Sequence, residues 1–232
     1  RSTQEIARGT AETAVANQGW GVTGSFVLTG EAGADRGVRP RYVFDPAEGH
    51  WGALQLLALP GIRSGGGVGR VFELGGEAVS AMSTDERATL TNMTAELGGL
   101  TGIVEPDQET LRFLKERRGV DFTLEPWMRS DPQASYAGRI EVDCSSLSPM
   151  VASPGDPGNG LALDRLQQPV RVDIAYGGSC TAGKREDSDH YHEVLAWGLE
   201  HGLKVPQGVQ LFLQYGTTAV RDYCIERGYD RV

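Results

Sequence analysis

The C-terminal part of the chain alternates between strand-forming and helix-forming segments, and this alternation constrains the fold more than any other feature of the sequence. Two short apolar runs, 170–176 and 209–214, are each followed by a longer segment with apolar residues at helical spacing, 187–202 and 218–228. Strands that are separated by helices of this length are joined by crossovers and run parallel to one another. Because parallel strands need helices on the faces of their sheet, the pattern predicts an α/β fold.

A second stretch of the same character lies near the middle of the chain. Ser83 or Thr84 is a good N-cap, acidic residues follow it, and apolar residues at helical spacing continue until Gly98 ends the pattern. A short strand, Thr101–Val104, and a second helix that reaches Lys115 come next. Helix, strand and helix in this order again predict a layered α/β arrangement.

The segment between these two stretches is polar and rich in turn-forming residues, at 117–138. Apolar and charged residues alternate at 140–143 directly after it, which predicts a half-buried strand. We therefore expect two α/β parts with mostly parallel sheets, residues 1–135 and residues 136–232.

Composition narrows the class of protein. The 232 residues include 22 Lys and Arg against 31 Asp and Glu, a net charge of −9, and 39% are hydrophobic. These proportions are typical of a globular protein, and no apolar run is long enough to predict a membrane span. The negative charge argues against a nucleic-acid partner, because phosphate binding is mainly electrostatic.

The three cysteines, Cys144, Cys180 and Cys224, are widely spaced and odd in number. They do not form the pattern of a disulfide framework and instead fit a reducing compartment, so we expect a cytoplasmic protein.

Cys180 has the most distinctive surroundings of the three. It lies in the run Gly177-Gly178-Ser179-Cys180-Thr181, directly after a predicted parallel strand, and ligands of α/β sheets bind at the carboxyl ends of the strands. The positive end of a following helix would favour a nucleophilic or metal-bound sulfur. A buried, unreactive cysteine is the other reading, and the spacing alone favours neither.

Asn92 and Glu96 are four residues apart on the predicted middle helix and would share one of its faces. By themselves they are more simply explained as a polar pair at the surface.

Several motifs, in a fixed order, resemble the aconitase superfamily over about residues 40–232. The motifs are Gly67-Val68-Gly69-Arg70-Val71-Phe72-Glu73-Leu74-Gly75-Gly76, the run from Arg87 through Thr91-Asn92-Met93-Thr94-Ala95-Glu96 to Gly99, its continuation through Glu105-Pro106-Asp107, and Gly178-Ser179-Cys180-Thr181. The segment 53–76 is slightly closer to the large subunit of 3-isopropylmalate dehydratases than to long single-chain aconitases. The resemblance implies an aconitase-like three-layer α/β/α fold.

The resemblance also implies an activity and a site. Members are hydro-lyases that move a hydroxyl between adjacent carbons of a polycarboxylate substrate, using a 4Fe–4S cluster held by three cysteines. Cys180 would be the first cluster ligand, with Ser179 and Thr181 beside it in the cofactor-binding segment. Asn92 and Glu96 would be catalytic, with Glu96 handling the proton of the hydroxyl or water. A small subunit that carries the family's swivelling domain is the implied protein partner, and neither a membrane nor a nucleic acid is implied.

The sequence departs from the family in ways that leave two alternatives. The family's Cys-x-x-Cys pair, which supplies the other two ligands, is absent, and Ala182 stands where the family has Asn. The chain is therefore expected to be a fragment of a hydro-lyase, inactive and free of the cluster when isolated. One alternative is a cluster-free homologue that serves as a binding or regulatory module. An RNA-binding role is the other, and the negative charge argues against it.

Overall fold

Two pairs of parallel strands organise the chain, one pair in each of the two units into which it divides. The structure is a computed structural model that describes residues 21–22, 53, 56–144, 149–168 and 170–231. We call the unit Asp45–Leu147 the central unit, and we call Ser148–Val232 together with Arg1–Phe44 the terminal unit. The predicted division after residue 135 stays a prediction; these units divide the chain after Phe44 and after Leu147.

The described residues form short strands and helices in both units. The strands are β1 (Gly21–Val22), β2 (Val71–Leu74), β3 (Thr101–Val104), β4 (Met150–Ala152), β5 (Gly160–Ala162), β6 (Ile174–Gly178) and β7 (Gln210–Gln214). The helices are α1 (Glu77–Ala81), α2 (Thr84–Asn92), α3 (Gln108–Arg118), α4 (Ser179–Ala182), α5 (Arg185–Glu200) and α6 (Thr218–Arg227). A π-helical segment, Ile62–Gly66, precedes β2, and among the described helices none is both long and apolar enough to cross a bilayer.

The central unit contains a β–α–β arrangement. Strands β2 and β3 pair in parallel, with Val71 opposite Thr101, and helices α1 and α2 lie between them in the chain. Helix α2 begins where the sequence predicts, because Ser83 and Glu86 form a capping box: the Ser83 hydroxyl accepts from the Glu86 amide at 3.2 Å, and the Glu86 carboxylate accepts from the Ser83 amide at 3.3 Å. Thr89 on this helix is completely buried.

One buried cation joins helices α1, α2 and α3 of the central unit. Arg87 on α2 makes a bidentate pair with Asp107, with nitrogen–oxygen distances of 2.7 and 2.8 Å. Two further N–H groups of Arg87 donate to the carbonyl oxygens of Val79 and Ser80, on α1, at 3.0 Å each. Asp107 is the N-cap of α3 and also accepts from the Glu109 amide at 3.0 Å. A single guanidinium therefore fixes the positions of α1, α2 and α3 relative to one another.

The Arg87–Asp107 pair makes the stability of this unit sensitive to acid. The hydrogen bonds from Arg87 hold the pKa of Asp107 below its ordinary value of 3.8. The stability that this carboxylate contributes is present above the unfolded pKa and is lost as the pH falls through the lower, folded pKa. Because the Asp107 side chain is 37% exposed and partly screened by solvent, we expect Asp107→Asn to be about 1 kcal/mol less stable than the parent near pH 7, and the two proteins to converge in acid as the pH falls through the folded pKa.

Urea unfolding followed by circular dichroism, repeated across this pH range, measures that gap. Asp121→Asn is the control, because Asp121 is 83% exposed and pairs with Lys115 at the surface. This control should follow the parent at every pH. A gap between Asp107→Asn and the parent that stays constant with pH would contradict the prediction.

The terminal unit contains the second parallel pair and an antiparallel sheet. Strands β6 and β7 pair in parallel from Ile174 opposite Gln210 to Gly178 opposite Gln214, and α5 connects them in the chain. Strands β1, β4 and β5 form the antiparallel sheet in that order. Val151 of β4 forms a small buried cluster with Leu163 and Leu166, which follow β5 in the chain.

The predicted α/β class with parallel sheets is confirmed in both units. The strand predicted at 140–143 is wrong, because this segment is irregular and pairs with no described strand. Ile140 is 47% exposed, so the alternation of apolar and charged residues does not bury a face. A strand without a neighbour also leaves its backbone hydrogen bonds unmade, which explains why the pattern alone does not produce one.

Candidate functional site

Asn92 and Glu96 lie at the end of α2 in the central unit, and the structure corrects their expected arrangement. The helix ends at Asn92, and the next residues form tighter turns, with the Glu96 amide donating to the Met93 carbonyl at 3.2 Å. The two residues therefore do not share one face of a regular helix. Both are exposed, as a site for a soluble substrate requires.

A buried threonine explains why the helix stops early. The Thr94 hydroxyl donates to the Thr91 carbonyl at 2.7 Å, and the Gly99 amide donates to the Thr94 carbonyl at 2.9 Å. Local bonds of this kind compete with the helical pattern and favour turns. Thr94 is 2% exposed, and a Cβ placed on Gly102 of β3 would approach its Cγ2 to 2.8 Å, so the turn is packed closely against the strand.

The structure brings together two of the motifs that the sequence analysis singles out. The Gly69 amide donates to the Gly98 carbonyl at 3.1 Å, and the Leu100 amide donates to the Arg70 carbonyl at 2.7 Å. A Cβ on Gly67 would lie 2.0 Å from the Leu97 carbonyl oxygen, so only glycine fits there. The glycine-rich run before β2 therefore supports the turn that carries Glu96.

Cys180 lies in the terminal unit, at the carboxyl end of the parallel strand β6, as predicted. It is exposed, and its Sγ is 3.9 Å from both the Ser179 and the Thr181 hydroxyl oxygens. The helix that contains it, α4, is a single turn, and the long helix α5 begins only at Arg185. The position at the end of the strand is therefore as expected, and the long helix begins close to its predicted start at residue 187.

Close backbone contacts hold the Cys180 turn against the end of β7. A Cβ on Gly178 would approach the Gln214 carbonyl oxygen to 2.1 Å, and one on Gly183 would approach the Ser179 carbonyl oxygen to 2.4 Å. The Gly216 amide donates to the Gly183 carbonyl at 2.8 Å. These glycines are required by the close approach of two backbone segments.

Two further residues contact this turn, and the sequence analysis missed both. Lys184 donates to the Thr181 carbonyl and pairs with Asp187 at 2.9 Å, while the Tyr191 hydroxyl donates to the Ala182 carbonyl at 2.8 Å. Tyr191 is on α5, about one turn beyond Asp187, and nothing in its own sequence context marks it. Lys184 could have been noticed, since it closes the run that begins at Gly178.

The other two cysteines are less accessible than Cys180. Cys144 is half-buried, and Cys224 on α6 is only 1% exposed. Burial raises the pKa of both thiols, which disfavours the thiolate that a metal needs. In the part of the chain that the structure describes, no group of three or more His, Cys, Asp or Glu residues could hold a metal ion. A 4Fe–4S cluster held by three cysteines therefore cannot be assembled from the described residues alone.

The candidate residues form two groups in separate units. Asn92 and Glu96 belong to the central unit, and Ser179, Cys180 and Thr181 belong to the terminal unit. Each group lies where a strand or helix of its unit ends. Asn92, Glu96, Ser179 and Cys180 are exposed, and Thr181 is half-buried.

The sequence matches the model of the aconitase family (aconitate hydratase) over residues 56–232, which includes both groups. The chain therefore belongs to the aconitase family, and the resemblance of its motifs is confirmed.

Among its relatives are large subunits of dehydratases. The chain is 33% identical to 3-isopropylmalate dehydratase large subunit 2 of Rubrobacter xylanophilus over 75% of its length, and 40% identical to the chloroplastic 3-isopropylmalate dehydratase large subunit of Arabidopsis thaliana over 58%. It is 30% identical to the 2,3-dimethylmalate dehydratase large subunit of Eubacterium barkeri over 77%. The matched regions cover 41%, 26% and 40% of these relatives, so the chain spans less than half of their length.

Proposed function

We propose that this chain is part of an aconitase-family hydro-lyase that removes water from a hydroxy-polycarboxylate such as 3-isopropylmalate and adds it back. The observation that carries the proposal is the exposed Cys180 thiol at the carboxyl end of β6, inside a region that matches the family throughout. Because these relatives are named as large subunits, we propose that a separate small subunit is the protein partner. We propose a cytoplasmic location because the free cysteines suit a reducing compartment.

Cys180 is the residue of this chain that would ligate a 4Fe–4S cluster, and the cluster would supply a Lewis acid for the substrate's hydroxyl and carboxylate. The described residues supply one thiolate of the three, so the remaining ligands would come from other parts of the whole enzyme. Ser179 and Thr181 place hydroxyl groups 3.9 Å from the sulfur. Hydroxyls at this distance can donate weakly to a thiolate and stabilise its negative charge.

Asn92 and Glu96 would act on the substrate itself. The exposed Glu96 carboxylate can accept a proton or return one at its oxygen atoms, and this is the proton transfer that dehydration and rehydration require. The Asn92 amide can donate hydrogen bonds to a substrate carboxylate and hold it in one orientation. The turn that carries both residues is fixed by Thr94 and by the glycine-rich run before β2, so little reorganisation is needed on binding.

A cluster-free binding or regulatory module is the second candidate, and one observation favours it. Ala182 has no polar side chain, although the family places Asn at this position beside the cluster-binding cysteine. A module that binds a carboxylate without performing chemistry would not need that amide.

We expect the isolated chain to be colourless, to contain no iron or sulfide, and to have no dehydratase activity, because one accessible thiol cannot retain a four-iron cluster. The measurement is anaerobic iron and sulfide analysis of the purified chain, with a hydratase assay on the same sample. About four irons per chain together with activity would contradict this expectation.

The intact mass of the protein purified from its natural source separates the two candidates. A mass well above 24.9 kDa together with iron supports the hydro-lyase, in which these residues are one part of the enzyme. A mass of 24.9 kDa without iron contradicts the hydro-lyase and supports the binding module.

A further inference from the structure

The turn that carries Cys180 has a backbone conformation that most residues avoid. Ser179 has a φ of 68°, in the left-handed region, and Gly178 before it has a φ of 125°. Left-handed backbone is unfavourable for a residue with a side chain and persists only where the surroundings enforce it. The single-turn helix α4 is also too short to be stable by itself. Contacts from outside the turn must therefore hold it.

Two side chains provide such contacts at the end of α4. Tyr191 donates its hydroxyl to the Ala182 carbonyl oxygen at 2.8 Å, and the Lys184 ammonium donates to the Thr181 carbonyl oxygen. The last carbonyls of a helix have no partner within the helix, so each of these bonds satisfies a group that α4 cannot satisfy. A tyrosine hydroxyl is protonated and able to donate at neutral pH, and burial raises the pKa of Tyr191 further above its ordinary value.

Lys184 is itself held in place. The Asp187 carboxylate accepts from the Lys184 ammonium at 2.9 Å and from the Lys184 amide at 2.8 Å. The two side chains are only 15% and 11% exposed. A pair that is this well shielded from water has fewer alternative conformations than a surface ion pair, so the ammonium can act as a fixed donor.

We propose that Lys184 and Tyr191 are positioning residues that fix the turn in the conformation that presents the Cys180 thiol. The importance of these two residues for cluster binding rests on the proposed function, in which Cys180 ligates the cluster. The contacts come from this chain's own residues, so the proposal makes no use of a bound cofactor. The order of the turn can therefore be measured in the chain as it is.

Hydrogen–deuterium exchange of the segment 178–184, in the full chain, tests the proposal. In Lys184→Met and in Tyr191→Phe we expect the amides of this segment to exchange about tenfold faster, because each variant loses one hydrogen bond that closes the turn. Lys184→Arg keeps a donor for the Thr181 carbonyl and should return exchange to within about twofold of the parent.

Two variants serve as matched controls. Tyr223→Phe also removes a phenol hydroxyl in the terminal unit, one that donates to Asp189 at 2.8 Å, and Lys115→Met breaks a lysine–aspartate pair in the central unit. Both should leave exchange at 178–184 unchanged.

Unchanged exchange in Lys184→Met and Tyr191→Phe would overturn the proposal, because the glycine contacts with β7 would then hold the turn alone. Equal acceleration throughout β6 and β7 would also overturn it, since the two residues would serve the stability of the whole sheet. A lack of iron in the natural protein would refute the proposed function without altering the exchange result, so the two failures can be told apart.

Discussion

Replacing Arg87 with Met is expected to destabilise the central unit by about 3 kcal/mol, because it removes the bidentate partner of the Asp107 carboxylate. The Asp107 side chain is 37% exposed, so water compensates for part of this loss, whereas the 6% exposed Arg87 side chain leaves a space at a buried position. Two backbone carbonyls, those of Val79 and Ser80, also lose their donors. The measurement is urea unfolding followed by circular dichroism at neutral pH.

Arg129→Met is the matched control for this prediction. Arg129 lies in the same unit and pairs with Glu105 at 3.6 Å, but it is 65% exposed. A surface pair of this kind contributes little to stability, so this variant should unfold close to the parent. Similar losses in the two variants would show that burial of the Arg87 pair is not what stabilises the unit. Arg87→Lys should fall between them, because an ammonium cannot reproduce the two parallel bonds of the guanidinium.

Local sequence signals predicted the parts of the fold that depend on neighbouring residues. Ser83 and Glu86 are three residues apart, and the capping box that they form is a property of that spacing alone. The alternation of strands and helices likewise predicted the two parallel pairs. The family resemblance rested on several short motifs in a fixed order, which a single sequence displays in full.

The features that the sequence did not predict depend on contacts between distant segments. The end of α2 at Asn92 is decided by Thr94, whose burial against β3 cannot be read from the helical pattern. The Tyr191 hydroxyl contacts the carbonyl of Ala182, which lies nine positions earlier in the chain and on a different helix. The opposite is true of the segment 140–143. Its local pattern predicts a strand, but none of the described strands pairs with it.

The two groups of candidate residues share one physical principle. In each, a glycine-rich segment brings two backbones into close contact, and a polar side chain next to it reaches the surface: Glu96 beside Gly98 in one unit, and Cys180 beside Gly178 in the other. Close backbone packing restricts the local conformations, so the exposed side chain starts from a defined position. Substitution of a packed glycine is therefore the most direct way to disturb either group.

Gly178→Ala is expected to destabilise the terminal unit by about 4 kcal/mol, because the substitution has two separate costs. The backbone φ of 125° is strained for any residue with a side chain. The new Cβ would also lie 2.1 Å from the Gln214 carbonyl oxygen, a backbone atom that cannot move without disturbing the pairing of β6 with β7. Urea unfolding gives the loss, and hydrogen exchange at β6 and β7 should show that the damage is concentrated there.

Gly208→Ala separates the two costs. Gly208 lies in the same unit with a φ of 90°, yet a Cβ there would meet no atom within 4 Å. It therefore carries the backbone strain without the steric clash, and we expect a loss of about 1 kcal/mol. If Gly178→Ala cost no more than Gly208→Ala, the close approach to Gln214 would not constrain the turn. A loss several times larger would show that contact with β7, and not glycine's conformational freedom alone, requires glycine two residues before Cys180.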